Sequence, residues 1–394
     1  MLSSFEVGVL TLLRNALKGE TQAPPDDFDY NLAYEFAKKH QIIPILYYGG
    51  AHIDAFANSE IGTKFLMTTM ALASFSENQL TEIEKLTKAF KENGIEFLKL
   101  KGTVLKCLYP HPEMRLMSDS DILIKEEQRE QIEKLLKELG YHYKTSSDHE
   151  IIWGNESITI ELHKRLIATY QKDFYAYFGN GWGFARQVDG TSEYKMSPED
   201  EFVYLFTHLS KHYRDAGIGI KHFTDIYVFL KANPQINMDY IMERLKTLRL
   251  DTFFENVKEM LEMWFDEKEV SEKARFITAK VFNSSVYGDR LTEIKAQALK
   301  DKKQGKKQSK LGKLFARIFP PYKTMSYMFP VLEKAPILLP FMWVARWFKL
   351  IFCRKEKIQK GLKDVNTQVS DQELNELQCE LDYVGLDYNF EEKK

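Results

Sequence analysis

The chain has 394 residues, of which 44% are hydrophobic and 28% are charged. This is the composition of an ordinary globular protein, and the length is sufficient for two or three domains. The formal net charge of -2 gives no electrostatic reason to expect nucleic acid as the main partner. Cys107, Cys353 and Cys379 are too scattered for a zinc site or a disulfide framework, so a reducing, cytoplasmic location is expected.

The N-terminal region, residues 1–94, is predicted to be helical. Its apolar stretch from Val7 to Leu13 follows Glu6, where a signal peptide would carry positive charge, so we predict a short core helix. A longer periodic run over residues 61–91 stops at Asn93-Gly94, which is typical of a helix terminus.

Residues 95–195 are predicted to form the core of the protein. In chain order the pattern predicts a strand in "IEFLKLKG", a short helix over 103–108, a strand in "SDSDILI", a charged helix over 126–139, and strands in "YHYKT" and "ESITIELHKRL". This order indicates an α+β fold that is α/β-like in its core. We expect a small mixed sheet flanked by N-terminal and C-terminal helical regions.

The remaining chain is predicted to be helical. A helical domain over residues 196–295 begins with "PEDEF", in which proline occupies a favoured N-terminal position. Residues 296–394 then form a lysine-rich linker and a helical tail, because seven lysines lie between Lys300 and Lys313. Such a run is typically solvated, and contact with nucleic acid or anionic lipid is the alternative. Ser370 and Glu373 have the spacing of a capping box for a last helix.

The tail contains a strongly apolar segment, "PILLPFMWVARWFKLIFC". It is a little short for a membrane crossing, contains Pro340, and is interrupted by Arg346 and Lys349, so no transmembrane segment is predicted. A helix packed against the protein body is the preferred interpretation. Peripheral contact with a membrane through residues 337–353 is the alternative.

Two acids lie one residue apart at the start of the predicted strand "SDSDILI". On a strand, Asp119 and Asp121 project to the same side while Ser120 faces away. Two carboxylates this close repel each other unless a positive charge lies between them, and Mg²⁺ is typically held by one or two carboxylates plus substrate phosphates. Glu161 is a candidate third acid, because the alternation in "ITIELH" places it with His163 on the polar face. A turn before the strand is the other interpretation of Asp-Ser-Asp.

Groups suited to phosphate accompany these acids. Lys101, Gly102 and Thr103 lie at a strand-to-helix turn, where glycine permits close approach and a helix start exposes N–H groups. Arg115 lies just upstream of the acids and has the geometry for bidentate contact with phosphate oxygens. Together, in this order, the residues favour a metal and phosphate site over a simple turn.

The motifs "LKLKG", "LYPHPEMRLMSDSDILI", "LKELGY", "IELHKRL" and "THLSKHYRDAGIGIKHFTDIYVFL" resemble the uncharacterised nucleotidyltransferase family of bacteria, which is part of the polymerase-β-like superfamily. The resemblance is densest from Ile95 to Leu166 and extends to about Leu230. It implies a catalytic, metal-binding set and a nucleotide-binding set. The first comprises Asp119, Asp121 and Glu161 with Mg²⁺ or Mn²⁺, and the second comprises Lys101, Gly102, Thr103 and Arg115.

Other residues match the family pattern without a derived role. The superfamily usually has glycine-serine at the turn, where this chain has Gly102-Thr103. His208 and His212 lie one helical turn apart and suit either a metal pair or a polar helix face. The further auxiliary candidates are His163, Lys221 and Asp225. His163 suits a role in orienting Glu161 or closing a hydrogen bond.

The resemblance implies metal-dependent transfer of a nucleoside monophosphate from an NTP such as ATP to an acceptor hydroxyl or phosphate, with release of pyrophosphate. One metal would lower the pKa of the acceptor, and the other would neutralise the leaving phosphates. Because family members often accompany polysaccharide biosynthesis genes, a sugar or sugar phosphate is the suggested acceptor. The alternatives are a toxin-like transferase that modifies protein or RNA and a non-catalytic scaffold that retains the fold.

Overall fold

A computed structural model describes residues 2–269, 271–305, 310–353 and 369–388. The chain begins with the helices α1 (Ser4–Lys18), α2 (Tyr30–His40), α3 (Ile43–Gly50), α4 (Asp54–Ala57) and α5 (Glu60–Glu92). In α1, Ser3 and Glu6 form a capping box, and the residues from Gly8 to Asn15 are buried. The predictions of a core helix and of a helical N-terminal region are therefore confirmed.

The centre of the structure is a seven-stranded mixed sheet in the order β3-β4-β5-β2-β1-β7-β6. Its strands are β1 (Phe97–Lys99), β2 (Ser120–Ile124), β3 (His142–Ser146), β4 (Glu150–Gly154), β5 (Thr159–His163), β6 (Arg186–Gln187) and β7 (Glu193–Lys195). Three helices lie between them: α6 (Gly102–Leu105), α7 (Arg129–Glu138) and α8 (Lys172–Phe178). The predicted α+β class with a mixed sheet is confirmed.

The sheet has three strands that the sequence pattern did not predict. Strands β6 and β7 are two and three residues long and lie at one end of the sheet, so they carry no alternation to detect. Strand β4 is longer, and it pairs antiparallel with both β3 and β5. Its sequence, "EIIWG", lacks the polar alternation of a half-exposed strand, and all its residues after Glu150 are apolar or glycine.

The two faces of the sheet pack against different layers. On one face, Ile122 and Ile124 share a core with residues of α5 and α7. On the other face, Leu98 and Leu123 belong to the larger core. Since alternate residues of a strand point to the same face, Asp121 lies on the Leu123 side. The carboxylate of Asp121 therefore faces the larger core, whereas Ser120 lies on the side of Ile122 and Ile124.

The helices after the sheet supply most of this larger core. They are α9 (Pro198–Ala216), α10 (Ile220–Ala232), α11 (Met238–Leu248), α12 (Asp251–Asp266), α13 (Glu272–Asn283) and α14 (Arg290–Lys303). Helix α9 begins with Pro198 after the N-cap Ser197, whose hydroxyl accepts from the N–H of Asp200. Its inner face is aromatic and includes Phe202 and Phe206, both fully buried. This predicted helical stretch is confirmed.

The lysine-rich run is partly helical. Lys300 to Lys303 end α14, where Lys300 pairs with Asp215 at 2.6 Å and Lys302 pairs with Asp371 at 2.8 Å. These residues form a helical turn rather than the predicted linker, because acids of two other helices neutralise them. Residues 306–309 of the run lie outside the described residues.

The C-terminal helices are α15 (Lys310–Ile318), α16 (Tyr322–Met328), α17 (Val331–Lys334), α18 (Leu339–Cys353) and α19 (Asp371–Val384). Helix α19 has the predicted capping box of Ser370 and Glu373, and it packs on α14, α12 and α13. Helix α18 differs from the preferred prediction. Its main contacts are with α16 and the turn before it, and α16 in turn contacts the edge strand β3.

The apolar sequence of α18 raises the question of whether this helix could cross a membrane. Among the described residues, no helix has both the length and the apolar character needed to cross a bilayer. The cytoplasmic location stays a prediction.

Candidate active site

The three predicted acids meet at the edge between β2 and β5. These two strands are parallel, and Asp121 is the direct register partner of Glu161. Directly opposed residues on neighbouring strands have close Cβ atoms, so their side chains leave the sheet together. Asp119 lies one residue before β2 and also lines the cleft. The alternation that predicted a shared face for Asp119, Asp121 and Glu161 therefore agrees with their placement.

Asp121 is buried but has positive partners. Its Oδ1 accepts a hydrogen bond from Nζ of Lys101 at 3.0 Å and one from Nε2 of His163 at 2.7 Å. Burial alone would raise the pKa of Asp121, but the Lys101 charge and the bond from His163 outweigh burial and hold the pKa well below its usual range. Asp121 is therefore a carboxylate at neutral pH.

The other two acids lack a comparable partner. Burial, followed by the charges of Asp121 and Glu161, raises the pKa of Asp119 to about 7. Glu161 contacts His163, with Oε2 3.6 Å from Nε2. Burial and Lys101 oppose the charged form of His163, but the bonds to Asp121 and Glu161 prevail and raise its pKa. The cluster is thus negative and repulsive on the side away from Lys101.

The turn after β1 has an unusual backbone. Lys101 has φ 44° and ψ -114°, a combination that L-residues rarely adopt and that is typical of the first central residue of a type II′ turn. Gly102 follows it, and a Cβ there would lie 3.1 Å from Nη1 of Arg115 and 3.3 Å from Sδ of Met117. The glycine therefore permits close packing of the turn on the segment before β2.

Thr103 is placed differently from its neighbours at this turn. It is 6% exposed, its hydroxyl has no hydrogen-bond partner among the described residues, and it is absent from the cleft lining. Lys101 and Gly102 do line the cleft. The proposed phosphate contact through the Thr103 hydroxyl stays a prediction, and the geometry favours the first two residues of the turn.

Arg115 is engaged within the protein. Its Nε and Nη2 donate to Asp225 at 3.1 and 3.0 Å, and its Nη1 donates to the carbonyl oxygen of Leu116 at 2.8 Å. The hydroxyl of Tyr109 donates to the same Asp225 at 2.8 Å. Arg115 lines the cleft, but every guanidinium nitrogen already has an acceptor, so its role as a phosphate contact stays a prediction.

Helices α9 and α10 form the wall opposite the acids. They contribute the predicted His208, His212 and Lys221 to the cleft. Nε2 of His208 and Nε2 of His212 lie 3.2 Å apart. Burial, followed by nearby positive charge, lowers the pKa of His208 and lowers that of His212 to about 3. Both rings are therefore neutral at pH 7.

Two lysines on this wall differ in their partners. Lys221 donates to Oε1 of Gln41 at 2.7 Å and to the carbonyl oxygen of Leu116 at 3.3 Å. Lys211 has no hydrogen bond or ion pair among the described residues, and burial lowers its pKa to about 8. An ammonium directed into a cleft without a partner favours an anionic ligand. The sequence analysis missed Lys211, although it lies one helical turn from His208.

The same cleft contains an additional polar cluster that the sequence analysis missed. Glu150 begins β4 and is the register partner of His163, while Nε2 of His149 lies 3.0 Å from Oε2 of Glu150. The signal that could have revealed Glu150 is its place before the apolar run "IIW". The cleft has a volume of about 270 Å³ and is bounded by the sheet on one side and by α9 and α10 on the other.

The cleft has the donor set of a divalent-cation site. One ligand atom each from Asp121, Glu161 and His163 lies within 4.8 Å of the others, and the same holds for His149, Glu150 and His163. The buried Nδ1 of His163 has no partner among the described residues. The set of Asp121, Glu161 and His163 supplies two carboxylates and fits Mg²⁺ or Mn²⁺, whereas the set with two histidines is richer in nitrogen and suits these ions less well.

Comparison with solved structures finds matches to two structures of one protein, ANT(2'')-Ia. The antibiotic-resistance factor ANT(2'')-Ia in solution aligns with 14% identity and a TM-score of 0.33, covering 48% of this chain and 96% of that one. The crystal structure of ANT(2'')-Ia in complex with adenylyl-2''-tobramycin aligns with 13% identity and a TM-score of 0.32, covering 43% and 97%. At these scores the likeness supports no inference about the substrate.

Comparison of the sequence with known proteins identifies the family. A search of curated proteins finds no significant match. The model of a family described as uncharacterised nucleotidyltransferase matches residues 26–266, which is more than half of the chain. The match includes the sheet, the acids at β2 and β5, and the wall formed by α9 and α10. The chain belongs to this nucleotidyltransferase family, and it is a nucleotidyltransferase.

Proposed function

We propose that the protein transfers a nucleoside monophosphate from an NTP to an acceptor in the cleft between the sheet and α9–α10. The main support for this proposal is that Asp121 of β2 lies directly opposite Glu161 of the parallel strand β5, with Asp119 beside them. In the reaction, an acceptor oxygen forms a bond to the α-phosphorus and the bond to the β-phosphate oxygen breaks. Pyrophosphate leaves, and the acceptor proton passes to a carboxylate of the cluster.

The metal dependence is part of the proposal. Asp119, Asp121 and Glu161 would hold Mg²⁺ or Mn²⁺, whose chemistry is to lower the acceptor's pKa and to neutralise the charge of the leaving phosphates. Lys101 holds Asp121 ionised and oriented through its 3.0 Å contact. His163 holds the same carboxylate from the other side and separates it from Glu161. These two residues therefore position the acids.

The triphosphate is proposed to lie along the turn after β1. Lys101 and Gly102 line the cleft there, and their N–H groups and ammonium suit phosphate oxygens. Lys211 lies on the opposite wall without a partner among the described residues. Residues 95–195 and 196–295 would then supply one wall each, which supports the proposed domain division of the sequence.

The acceptor is proposed to be a small hydroxyl compound that bears a negative charge, such as a sugar phosphate. The support is Lys211, which lines the wall opposite the acids and whose pKa of about 8 leaves it largely protonated at pH 7. Lys221 on the same wall is closer to neutral, because burial, followed by the charge of Arg115, lowers its pKa to about 7. A triphosphate and an anionic acceptor both require positive charge that the acids cannot supply. A protein or RNA acceptor would require the same acids. The acceptor classes must therefore be distinguished by testing each of them as a substrate.

The test is label transfer. The protein is incubated with α-³²P-labelled NTPs, Mg²⁺ or Mn²⁺, and a panel of sugars, sugar phosphates, RNA and denatured protein, and pyrophosphate release is measured in parallel. Label transfer and pyrophosphate release that are abolished in Asp121→Asn and retained in Lys134→Ala support the proposal. Lys134 is a suitable control because its side chain is 81% exposed, on α7. The absence of label transfer, pyrophosphate release and any thermal response to Mn²⁺ with NTP would overturn it.

A further inference from the structure

Exposed apolar side chains are concentrated on the segment 310–353. Helix α18 and the turn before it expose Ile337, Phe341 and Val344, with exposed fractions of 84%, 67% and 43%. Spacings of four and three residues place these side chains on one face of the helix. Helix α15 exposes Phe315 as well, at 65%. A folded domain seldom leaves such a face in water without a partner.

Another side of α18, which carries Trp343 and Trp347, is held by polar and aromatic contacts. Nε1 of Trp343 donates to the carbonyl oxygen of Pro320 at 2.9 Å, and Nε1 of Trp347 donates to that of Ile318 at 2.8 Å. Phe319 makes edge contacts with both indole rings. Because both tryptophans are turned toward α15, the face with Phe341 and Val344 is fixed outward.

The segment is also strongly basic. Residues 310–353 contain seven lysines and arginines and a single acid, Glu333, whereas the whole chain has a net charge of -2. Burial, followed by the charge of Arg317, lowers the pKa of Arg346, so two guanidinium groups of different helices lie near each other. The excess of six positive charges over this segment favours an anionic partner.

The charge and the apolar face together select the kind of partner. An anionic lipid surface offers negative charge at its headgroups and an apolar layer beneath them, and amphipathic helices with basic residues and exposed Phe and Ile bind it. Nucleic acid would match the charge but would leave Ile337 and Val344 without a function. The described helices are too short or too polar to cross a bilayer, so such binding would be interfacial.

The segment is attached next to the active-site cleft. The hydroxyls of Tyr143 and Ser146 donate to the carbonyl oxygen of Tyr327 on α16 at 3.0 and 2.9 Å. Nζ of Lys323 lies 3.3 Å from Oδ1 of Asp148, the residue before His149, which lines the cleft. A surface bound by this segment would therefore lie close to the loop that forms one side of the cleft.

We propose that the apolar surface formed by Ile337 of the turn before α18 and by Phe341 and Val344 of α18, with the basic residues of segment 310–353, docks the protein on an anionic membrane surface. This inference does not depend on the proposed reaction. It requires binding to rise with the fraction of anionic lipid, to fall with salt, and to depend on the exposed apolar side chains.

The experiment is sedimentation of the full-length protein with vesicles. Vesicles of phosphatidylcholine alone are compared with vesicles that also contain phosphatidylglycerol, at low and high salt. Binding to the anionic vesicles that weakens with salt supports the proposal. The double variant Phe341→Asp with Val344→Asp should reduce that binding by at least about tenfold. Met67→Asp with Met70→Asp on α5 is the matched control, because these side chains are 63% and 59% exposed and should leave binding unchanged.

Three results would overturn the proposal. The first is no binding to anionic vesicles. The second is equal loss in the α18 and α5 double variants. The third is binding that survives the α18 variant and is displaced by RNA, which would assign the basic segment to nucleic acid. Thermal midpoints and gel filtration of every variant establish that the fold is retained, and the α18 side chains are exposed enough to be replaced without disturbing the core.

Discussion

Arg115 and Asp225 form a buried, bidentate ion pair that joins the sheet to the helical layer. Nε and Nη2 of Arg115 donate to the two carboxylate oxygens at 3.1 and 3.0 Å, and the residues are 7% and 4% exposed. Arg115 precedes β2 and Asp225 lies on α10, so the pair fixes the width of the cleft. Breaking such a pair from one side is costly, because the remaining charge stays buried without a countercharge.

The first prediction concerns this pair. Arg115→Ala should lower the free energy of unfolding by about 3–5 kcal/mol, since Tyr109 would be the one hydrogen-bond partner left to the buried Asp225 among the described residues. Urea denaturation of the free protein measures the change. As a control, Lys134→Ala removes a pair that is 81% and 60% exposed and should change the stability by less than about 0.5 kcal/mol.

The opposite pattern would assign Arg115 to the ligand. If Arg115→Ala leaves the urea midpoint nearly unchanged while NTP-induced stabilisation is lost, the guanidinium serves phosphate and the contact with Asp225 is secondary. Arg115→Lys is a second test, because lysine keeps the positive charge but cannot form the bidentate contact with both carboxylate oxygens of Asp225.

The second prediction concerns the backbone of Lys101. A residue with φ 44° and ψ -114° costs about 1–3 kcal/mol unless it is glycine. Lys101→Ala and Lys101→Gly both remove the ammonium from Asp121, but only glycine relieves the backbone. Lys101→Gly should therefore be more stable than Lys101→Ala by about 1–2 kcal/mol, while both lose the NTP response.

Equal unfolding free energies for the two Lys101 variants would contradict the strained turn. Gly94→Ala is a useful calibration, since Gly94 has φ 65° with open space around the missing Cβ. Its loss of stability measures what a left-handed position costs in this chain without side-chain contacts. The Lys101 difference can then be compared directly with that value.

The sequence could predict the acids of the site but not how they are held. Alternation along "DSDILI" and "ITIELH" placed Asp121 and Glu161 on polar faces, because a strand has a fixed period of two. Their direct opposition depends on the parallel register of β2 and β5, which no local pattern encodes. The pairing of Arg115 with Asp225 spans 110 positions, so an arginine that suits phosphate locally is occupied by a distant acid.

The lysine run and the tail show the same limit. The sequence pattern predicts that Lys300 is solvated, but in the structure its ammonium lies 2.6 Å from Asp215 of α9. The tail helix was amphipathic enough to be predicted, but which of its faces is buried depends on Phe319 and the two tryptophans. Local periodicity gives a helix its faces, and tertiary contacts decide which face is covered.

The third prediction is a pH dependence that arises at His40. This residue is fully buried, and its Nδ1 accepts from the N–H of Ile220 at the start of α10. Burial, followed by the charge of Lys39, lowers the pKa of His40 to about 4. The unfolded chain then binds more protons than the folded one between pH 6.5 and 4, so stability is present above pH 6.5 and is lost as pH falls toward 4.

The measurement is the slope of the unfolding free energy against pH. His40→Gln should flatten that slope. The loss of unfolding free energy between pH 6.5 and 4 should become smaller by up to about 3 kcal/mol, whatever the effect of the substitution on stability at neutral pH. His52→Gln is the control, because His52 lies at an exposed turn after α3 and should leave the slope as it is. Parallel slopes for wild type and His40→Gln would show that His40 does not carry the acid sensitivity.

The last prediction distinguishes metal binding by the acids from their contacts with protein side chains. Asp121→Asn cannot be neutral in the metal-free protein, because it would leave Lys101 buried beside an amide and remove the acceptor of His163. We therefore expect Asp121→Asn to be less stable than wild type, even though the change removes one charge from the cluster of acids. Glu161→Gln is the cleaner probe, since the described ion pair of Glu161 is the 3.6 Å contact with His163, which is longer than either contact of Asp121.

Glu161→Gln removes one charge from a repulsive cluster, so its metal-free stability should equal or exceed that of wild type. Mn²⁺ with NTP should raise the thermal midpoint of wild type and should leave that of Glu161→Gln unchanged, because ligand stabilisation requires binding to the folded state. Label transfer should be lost in parallel. The comparison is a thermal-shift series with Mn²⁺ alone, NTP alone and both. Identical shifts in wild type and Glu161→Gln would show that the acids at β2 and β5 do not hold the metal, whereas a lower metal-free midpoint would show that Glu161 has a structural partner.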